Sequence, residues 1–326
     1  MRKTMTYIAA IVLLIGVTLY AIRTGSIKVG LAELISGLLF GGNDNVDVIR
    51  DLRFPRIIVA IMSGAALAVS GVLLQSVMRN PLADAGVIGI SAGAGFVSVL
   101  TVMIWPMLFF WMPLFSVIGG LIACFLVYTF SWRSGLQPLR LILVGVAINA
   151  LFTGLNQLLS FRGGIAMSTA NQASSSMFAL KTWDDVKVIV LYGVIGLIAA
   201  FALSTWCNLL ALQDRTAGNL GLNVMRARVI VSFVAVLLAS VATAIGGLIA
   251  FVGLLVPHIS RQLIGTDHRL LIPFSAIMGG LLILIADTVG RTLLTQTEIP
   301  ASVIMTIIGG PFLIFMLMRS DRVHGN

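Results

Sequence analysis

The chain has 326 residues, of which 59% are hydrophobic and only 10% charged, and its mean hydropathy of +1.06 excludes an ordinary water-soluble domain. A formal charge of +9 does not point to nucleic acid, because the basic residues are scattered singly between apolar runs and gather on no one face. The two cysteines, Cys124 within one apolar run and Cys207 at the end of another, exclude a disulfide framework and a cysteine metal site.

A bilayer core of about 30 Å takes about 20 largely apolar residues per helical crossing, and breaking the apolar runs at charges, prolines and glycine pairs predicts about ten spans. The first, Met5–Ile22, follows Met1-Arg2-Lys3. It is too long for a signal-peptide core and lacks a small-x-small cleavage site just after it, so it reads as a retained span. The polar stretch Arg23–Phe54 comes next and contains Val29–Phe40, an amphipathic segment expected to lie as a helix on the membrane surface. Spans are then predicted at Pro55–Met78, Gly86–Pro106, Pro113–Trp132 and Leu139–Leu159. Ser160–Asp185, rich in Ser, Gly, Ala and Gln, is expected to form an outer cap, and Asp184-Asp185 within it reads as a solvated loop. Val186–Trp206 is the next span, followed by the polar segment Asn208–Arg228 and the spans Val229–Ala244, Leu248–Leu263, Leu270–Leu293 and Ala301–Met318. An even count puts both termini on one side, and the positive-inside rule makes that side the cytoplasm. Lys28, Arg50, Arg53 and Arg56 crowd on the opposite side against that rule, which asks for a reason.

Several chemistries are excluded by what the chain lacks. It has no G-x-x-x-x-G-K-[ST] phosphate loop, and none of Lys3, Lys28, Lys181 and Lys187 follows a glycine, so it carries no ATP-hydrolysing machinery of its own. Asp287 is the one clear acidic candidate inside a span, far from the relay of buried ionisable groups that an ion-coupled carrier needs. His258, His268 and His324 show no metal-ligand spacing. No catalytic residue, metal site or cofactor is therefore expected, and an intramembrane enzyme is excluded for want of clustered carboxylates or histidines.

Two segments are distinctive. One runs from Arg79-Asn80-Pro81-Leu82-Ala83-Asp84-Ala85-Gly86 through Gly89 and Gly93 to Gly95, where Asn-Pro ends a helix and the glycines allow a tightly turned entry into the next. The other is Gly247–His258, containing Gly253, Pro257 and His258. Together they resemble the iron-siderophore, haem and vitamin B12 permeases of ABC importers, the FecCD family, and the resemblance runs in order from Leu52 to Met318. It implies a single all-α permease domain over residues 1–326, of the type II importer class with pseudo-symmetric halves. It argues against a zinc or manganese ABC permease.

The resemblance also assigns partners. Arg53, Arg56 and Arg291 match positions where the vitamin B12 permease presents arginines to acidic residues of an extracytoplasmic substrate-binding protein, a sensible match because Arg forms bidentate contacts with carboxylates. Asp287, one turn before Arg291, is expected to orient it through an i, i+4 pair. Leu209–Val224 falls where the family places the short coupling helices that sit on the dimer of ATP-binding subunits. Its candidate residues are Asp214, Arg215, Thr216, Ala217, Leu220 and Gly221, with Asp214 and Thr216 expected to cap a short helix and Gly221 to end it. The family commonly has two acidic residues there, whereas this chain has Asp214 followed by Arg215; Ala85 also replaces a frequent proline. The expected whole is a membrane permease working with a second copy or a sister permease in a bacterial cytoplasmic membrane, moving a ferric siderophore or haem, with vitamin B12 as the alternative cargo.

Overall fold

The structure, a computed structural model, describes residues 2–24, 44–132, 138–162, 178–294 and 298–324, together with positions 30, 33 and 36. The predicted surface helix Val29–Phe40, apart from those isolated positions, and most of the predicted cap Ser160–Asp185 lie outside the described residues. Among the described residues there are helices and turns and no strand. In chain order they are α1 (Arg2–Arg23), α2 (Asp44–Val48) with a π turn Ile49–Arg53, α3 (Phe54–Met78), α4 (Ile90–Ile104), α5 (Met112–Trp132), α6 (Pro138–Arg162), α7 (Trp183–Ala202), α8 (Ser204–Leu210), α9 (Asp214–Asn219), α10 (Val224–Gly246), α11 (Val252–Ile264), α12 (His268–Leu293) and α13 (Ala301–His324).

Every predicted span overlaps one of these helices, but among the described residues only 6 are long and apolar enough to cross a membrane by length and composition. For two of the remaining spans the reason is how the Gly-rich runs enter their helices. Gly86–Pro106 does not become helical until Ile90, because Gly89 holds a left-handed φ of 85°. Leu248–Leu263 starts only at Val252, after Gly247 (φ 80°) and Phe251 (φ 69°). The run Val186–Trp206 keeps a crossing helix, α7, but breaks at Leu203, where α8 begins.

Helix α3 forms the core: 83% of its most apolar stretch is buried, against 11% for α1, which leaves α1 facing the surroundings. Its closest partners are α12, α10 and α7. Hydrocarbon gives helices no hydrophobic reason to associate, so contact depends on how near the backbones can come. A Cβ added to Gly71 would stand 2.0 Å from the Gly253 carbonyl oxygen, and one on Gly64 would stand 2.1 Å from that of Gly279. The glycines of α3 are thus its contact surfaces with α11 and α12. Gly93 does the same between α4 and α5, where a Cβ would meet Gly119 O at 2.7 Å.

Pro257 sits inside α11 and cannot donate to the carbonyl of Gly253 four residues earlier. The buried Gln75 of α3 fills that vacancy: its Nε2 donates to Gly253 O at 2.9 Å and to Ala83 O at 3.2 Å, and its Oε1 accepts from Arg261 Nη1 at 2.5 Å. Asp84, 3% exposed, closes the same junction. The Gly86 N–H donates to its carboxylate at 3.2 Å, and a Cβ on Gly253 would stand 2.3 Å from its Oδ1, so the carboxylate lies where the two distinctive segments of the sequence meet. Asp84 is therefore a second buried acid that the sequence reading did not single out. Asp184-Asp185 is helical rather than a loop: Asp184 stays exposed as expected, but Asp185 is buried and forms a capping box with Thr182 at the start of α7.

Candidate functional site

Two charged clusters stand at opposite ends of α3. At its N-terminal end, Pro55 in the first turn fixes the helix start, and Arg56 one residue on is buried, 8% exposed. Its Nε and Nη2 donate to the two carboxylate oxygens of Asp287 on α12, each at 2.8 Å, and its Nη1 donates to Glu298 at 2.9 and 3.1 Å. All three guanidinium nitrogens are engaged. Asp287 thus pairs across helices with Arg56, and the expected i, i+4 pair with Arg291 does not form. A bidentate fork on a buried arginine satisfies both carboxylate oxygens at once, which a partner one turn along the same helix does not do.

Arg53 and Arg291 are only partly exposed and serve α1. Arg53 Nη1 donates to Ile22 O at 2.6 Å and Arg291 Nη2 to Ala21 O at 2.5 Å. These carbonyls belong to the last turn of α1, where no intrahelical donor is left and the helix dipole favours a cation. Two of the crowded arginines have a structural reason, then: Arg53, with Arg291 from α12, closes the end of α1, and Arg56 neutralises a buried carboxylate. The cluster comprises Arg53, Arg56 and Arg291 with Asp287 and Glu298, and Glu298 stays 44% exposed by its side chain. Farther out, Arg50 pairs with Asp47 and Asp51 at the surface.

At the other end, Arg79 terminates α3 in a left-handed conformation, φ 48° and ψ 37°. Asn80 is buried, its Oδ1 accepting from Leu82 N at 2.9 Å in a tight turn that Pro81 shapes. Arg79 reaches the connecting segment Leu209–Val224 twice, through Nε to Leu210 O at 2.8 Å and through Nη2 to Asp214 Oδ1 at 2.5 Å. Asp214 also accepts from Arg228 Nη2 at 3.0 Å. The expected caps are corrected here: α9 is capped by backbone alone at Gln213, with Asp214 in the first turn bridging two arginines and Thr216 exposed. Gly221, at φ 85°, does end the turn as expected. Ala217 is fully buried and anchors α9, while Leu220 is 61% exposed and Leu212 39% exposed beside the exposed Arg215.

Between this segment, the α3 terminus and the start of α12 lies a cavity of about 510 Å³ lined by Arg79, Asn80, Pro81, Asn208, Arg261 and His268. Asn208 organises its far wall, accepting from His268 N at 2.9 Å and donating to Asp267 Oδ1 at 2.8 Å. The Asn208 donation, with the backbone N–H of Arg269, holds the exposed Asp267 carboxyl below its ordinary value of 3.8. His258 lies apart on α11, with Gln262 at 2.9 Å and an edge-to-face contact with Phe312 at 5.5 Å. Gly89, Gly93, Gly253 and Pro257 act in the junctions described above, not at either charged face. Gln75, Asp84, Glu298 and Arg228 were missed by the sequence reading. The signal available for Asp84 and Gln75 was a polar residue isolated in a long apolar stretch.

The FecCD transport family model matches residues 12–319. A protein of Staphylococcus aureus strain MSSA476, described as a probable heme-iron transport system permease protein IsdF, is 39% identical over 321 residues, 98% of each chain. The same protein of strain Newman matches at 39% over 98% of each chain. A solved structure described as an inward-facing conformation of a metal-chelate type ABC transporter superposes with a TM-score of 0.81 at 28% identity, covering 97% of this chain and 99% of that one.

Proposed function

The chain belongs to the FecCD transport family, and from that premise we propose that it is the permease subunit of a binding-protein-dependent ABC importer that moves an iron complex, haem or a ferric siderophore, across a bacterial cytoplasmic membrane. The observation that carries the reading is 39% identity to a haem-iron permease over 98% of both chains. In this reading both termini and the Leu209–Val224 segment face the cytoplasm, and the Arg56 cluster faces out.

Each face then has a partner. The partly exposed Arg53 and Arg291 offer cationic surface to carboxylates of a substrate-binding protein, and Arg56, closed in by Asp287 and Glu298, holds their helices in register. On the inner face, exposed Leu212 and Leu220 flank the Asp214–Asn219 helix and supply the apolar contact that a groove on an ATP-binding subunit would take. A second permease copy or a sister permease completes the pathway, and ATP-driven closure of the ATPase pair moves α9 and opens the path to alternate sides. No bond of the substrate is broken.

The test is reconstitution of the complex in proteoliposomes. Uptake of haem or ferric siderophore should require ATP and the binding protein, stop with vanadate and persist with a protonophore. Uptake that a protonophore abolishes, or that proceeds without an ATPase, would overturn the reading. Arg53→Glu with Arg291→Glu should remove binding-protein stimulation while the complex still assembles, and Leu220→Asp with Asp214→Ala should separate ATP turnover from uptake.

A further inference from the structure

A groove of about 630 Å³ runs between α5 and α10 and meets the charged cluster at the α9 end only through Arg228. Its walls are stripes at helical spacing: Leu121 and Phe125 on α5, and Met225, Val229 and Phe233 on α10. Phe125 is 68% exposed and Val229 59% exposed, so the groove opens sideways, where the bilayer lies. The polar groups of its floor, Tyr128 and Ser232, satisfy each other at 3.3 Å. Charge enters at one end only, from Arg228. One of its nitrogens is spent on Asp214, while Nε is buried with no hydrogen-bond partner. Exposed Arg226 adds a second cation at that end.

We propose that this groove binds one anionic phospholipid, with an acyl chain between α5 and α10 and the phosphate on Arg228. A molecule that fits must be apolar along its length and anionic at one tip, and that tip must lie where α10 begins and headgroups sit. A phospholipid of the leaflet on the α9 side meets each condition; that this leaflet is the cytoplasmic one rests on the reading above, whereas the binding itself does not. A helix of a second copy would cover the apolar walls but would leave the Arg228 end without an acceptor. Because Arg228 shares Asp214 with Arg79, the bound phosphate and Asp214 draw on one guanidinium, which links lipid charge to α9.

The experiment uses the full-length chain in detergent with equal phosphatidylglycerol and phosphatidylcholine, read by native mass spectrometry as detergent strips the lipid. One phosphatidylglycerol should be retained about fivefold over phosphatidylcholine, the gain of one basic side chain at a membrane surface. Val229→Trp fills the groove without touching the Arg228–Asp214 pair, and it should bring retention down to the phosphatidylcholine level, as should Arg228→Gln. Phe233→Trp replaces Val229→Trp if that variant is not monodisperse. Asp214→Asn, which frees Arg228, should keep or raise the preference. Equal retention of the two lipids, or a groove-filling variant that holds phosphatidylglycerol as the wild type does, would overturn the proposal. So would displacement by millimolar inorganic phosphate, which would mean a headgroup site without the groove, or cross-linking of Phe125→Cys to Phe233→Cys between copies, which would mean a protein occupant. None of these readouts depends on transport, so their failure is separable from failure of the permease reading.

Discussion

Asp287→Asn isolates the buried ion pair that joins α3 to α12. The Arg56 side chain is 9% exposed and that of Asp287 3%, with bonds of 2.8 Å to both oxygens. Asparagine keeps the shape but removes the charge, leaving a buried guanidinium with Glu298 alone, and breaking one side of such a pair costs about 3–5 kcal/mol. Glu298 is 44% exposed, so water replaces much of what it gives, and Glu298→Gln should cost no more than about 1 kcal/mol. Removing both buried charges in Arg56→Met with Asp287→Leu deletes the desolvation cost together with the attraction, so the double variant should be close to wild type. The assay is denaturant-induced unfolding in mixed micelles, followed by far-ultraviolet circular dichroism. The reasoning fails if Asp287→Asn costs no more than Glu298→Gln, or if the apolar double variant is as unstable as the single one.

Gly71→Ala should destabilise by about 1–3 kcal/mol or more, because the added methyl would lie 2.0 Å from Gly253 O. Gly154→Ala, with nothing within 4 Å, is the control and should be neutral or stabilising by up to about 1 kcal/mol in the same unfolding assay. Gln75→Leu strands Gly253 O beside Pro257 and removes the acceptor of Arg261; it should cost about 1–3 kcal/mol per group left unpaired, and Gln75→Glu should not restore it because a carboxylate cannot donate to Gly253 O. The Asp267 carboxyl is held below its ordinary value by bonds from Asn208 and Arg269 N. Its stabilisation is therefore present above the unfolded value and lost as pH falls through the lower folded value. The melting-temperature gap between wild type and Asp267→Ala should be full at neutral pH and should close in acid.

Periodicity and run length made the helices legible because each crossing must satisfy its own backbone within a segment. The Arg79–Gly95 and Gly247–His258 segments were legible for a related reason, since left-handed turns need glycine or a short polar residue. Phe251 shows the limit of that rule: a bulky residue holds φ 69° there, and its ring lies over Gly309 of α13, where an added Cβ would meet it at 2.4 Å. Pairings between distant elements were not legible. Arg56 and Asp287 stand 231 positions apart, so reading along one helix offered Arg291 as the nearest partner and chose wrongly. Asp214 was misread for the same reason: its local context is a cap, but its real partners, Arg79 and Arg228, arrive from two other helices.

The arginines at the two ends of α3 give it a mechanical role that neither cluster reveals alone. Its 25 residues extend about 37 Å at 1.5 Å each, enough to cross a hydrocarbon core of about 30 Å. Arg56 fastens the N-terminal end to α12 and Glu298, and Arg79 fastens the C-terminal end to Leu210 and Asp214. Along its length, glycine contacts with α11 and α12 leave no slack, because a backbone-to-backbone contact cannot compress. A movement imposed on α9 at one face is therefore resisted at the other by a rigid element and not absorbed in between. Among the described residues α13 shows no such ties. It meets chiefly α12 and, less, α11, and Ile307, Ile308 and Phe315 remain exposed. Relative displacement between the two faces must then fall on loosely held helices such as α13 and spare α3. A disulfide engineered between α13 and α12 should consequently arrest uptake, whereas one between α3 and α12 should leave it running; the reverse result would show that α3 is the part that moves.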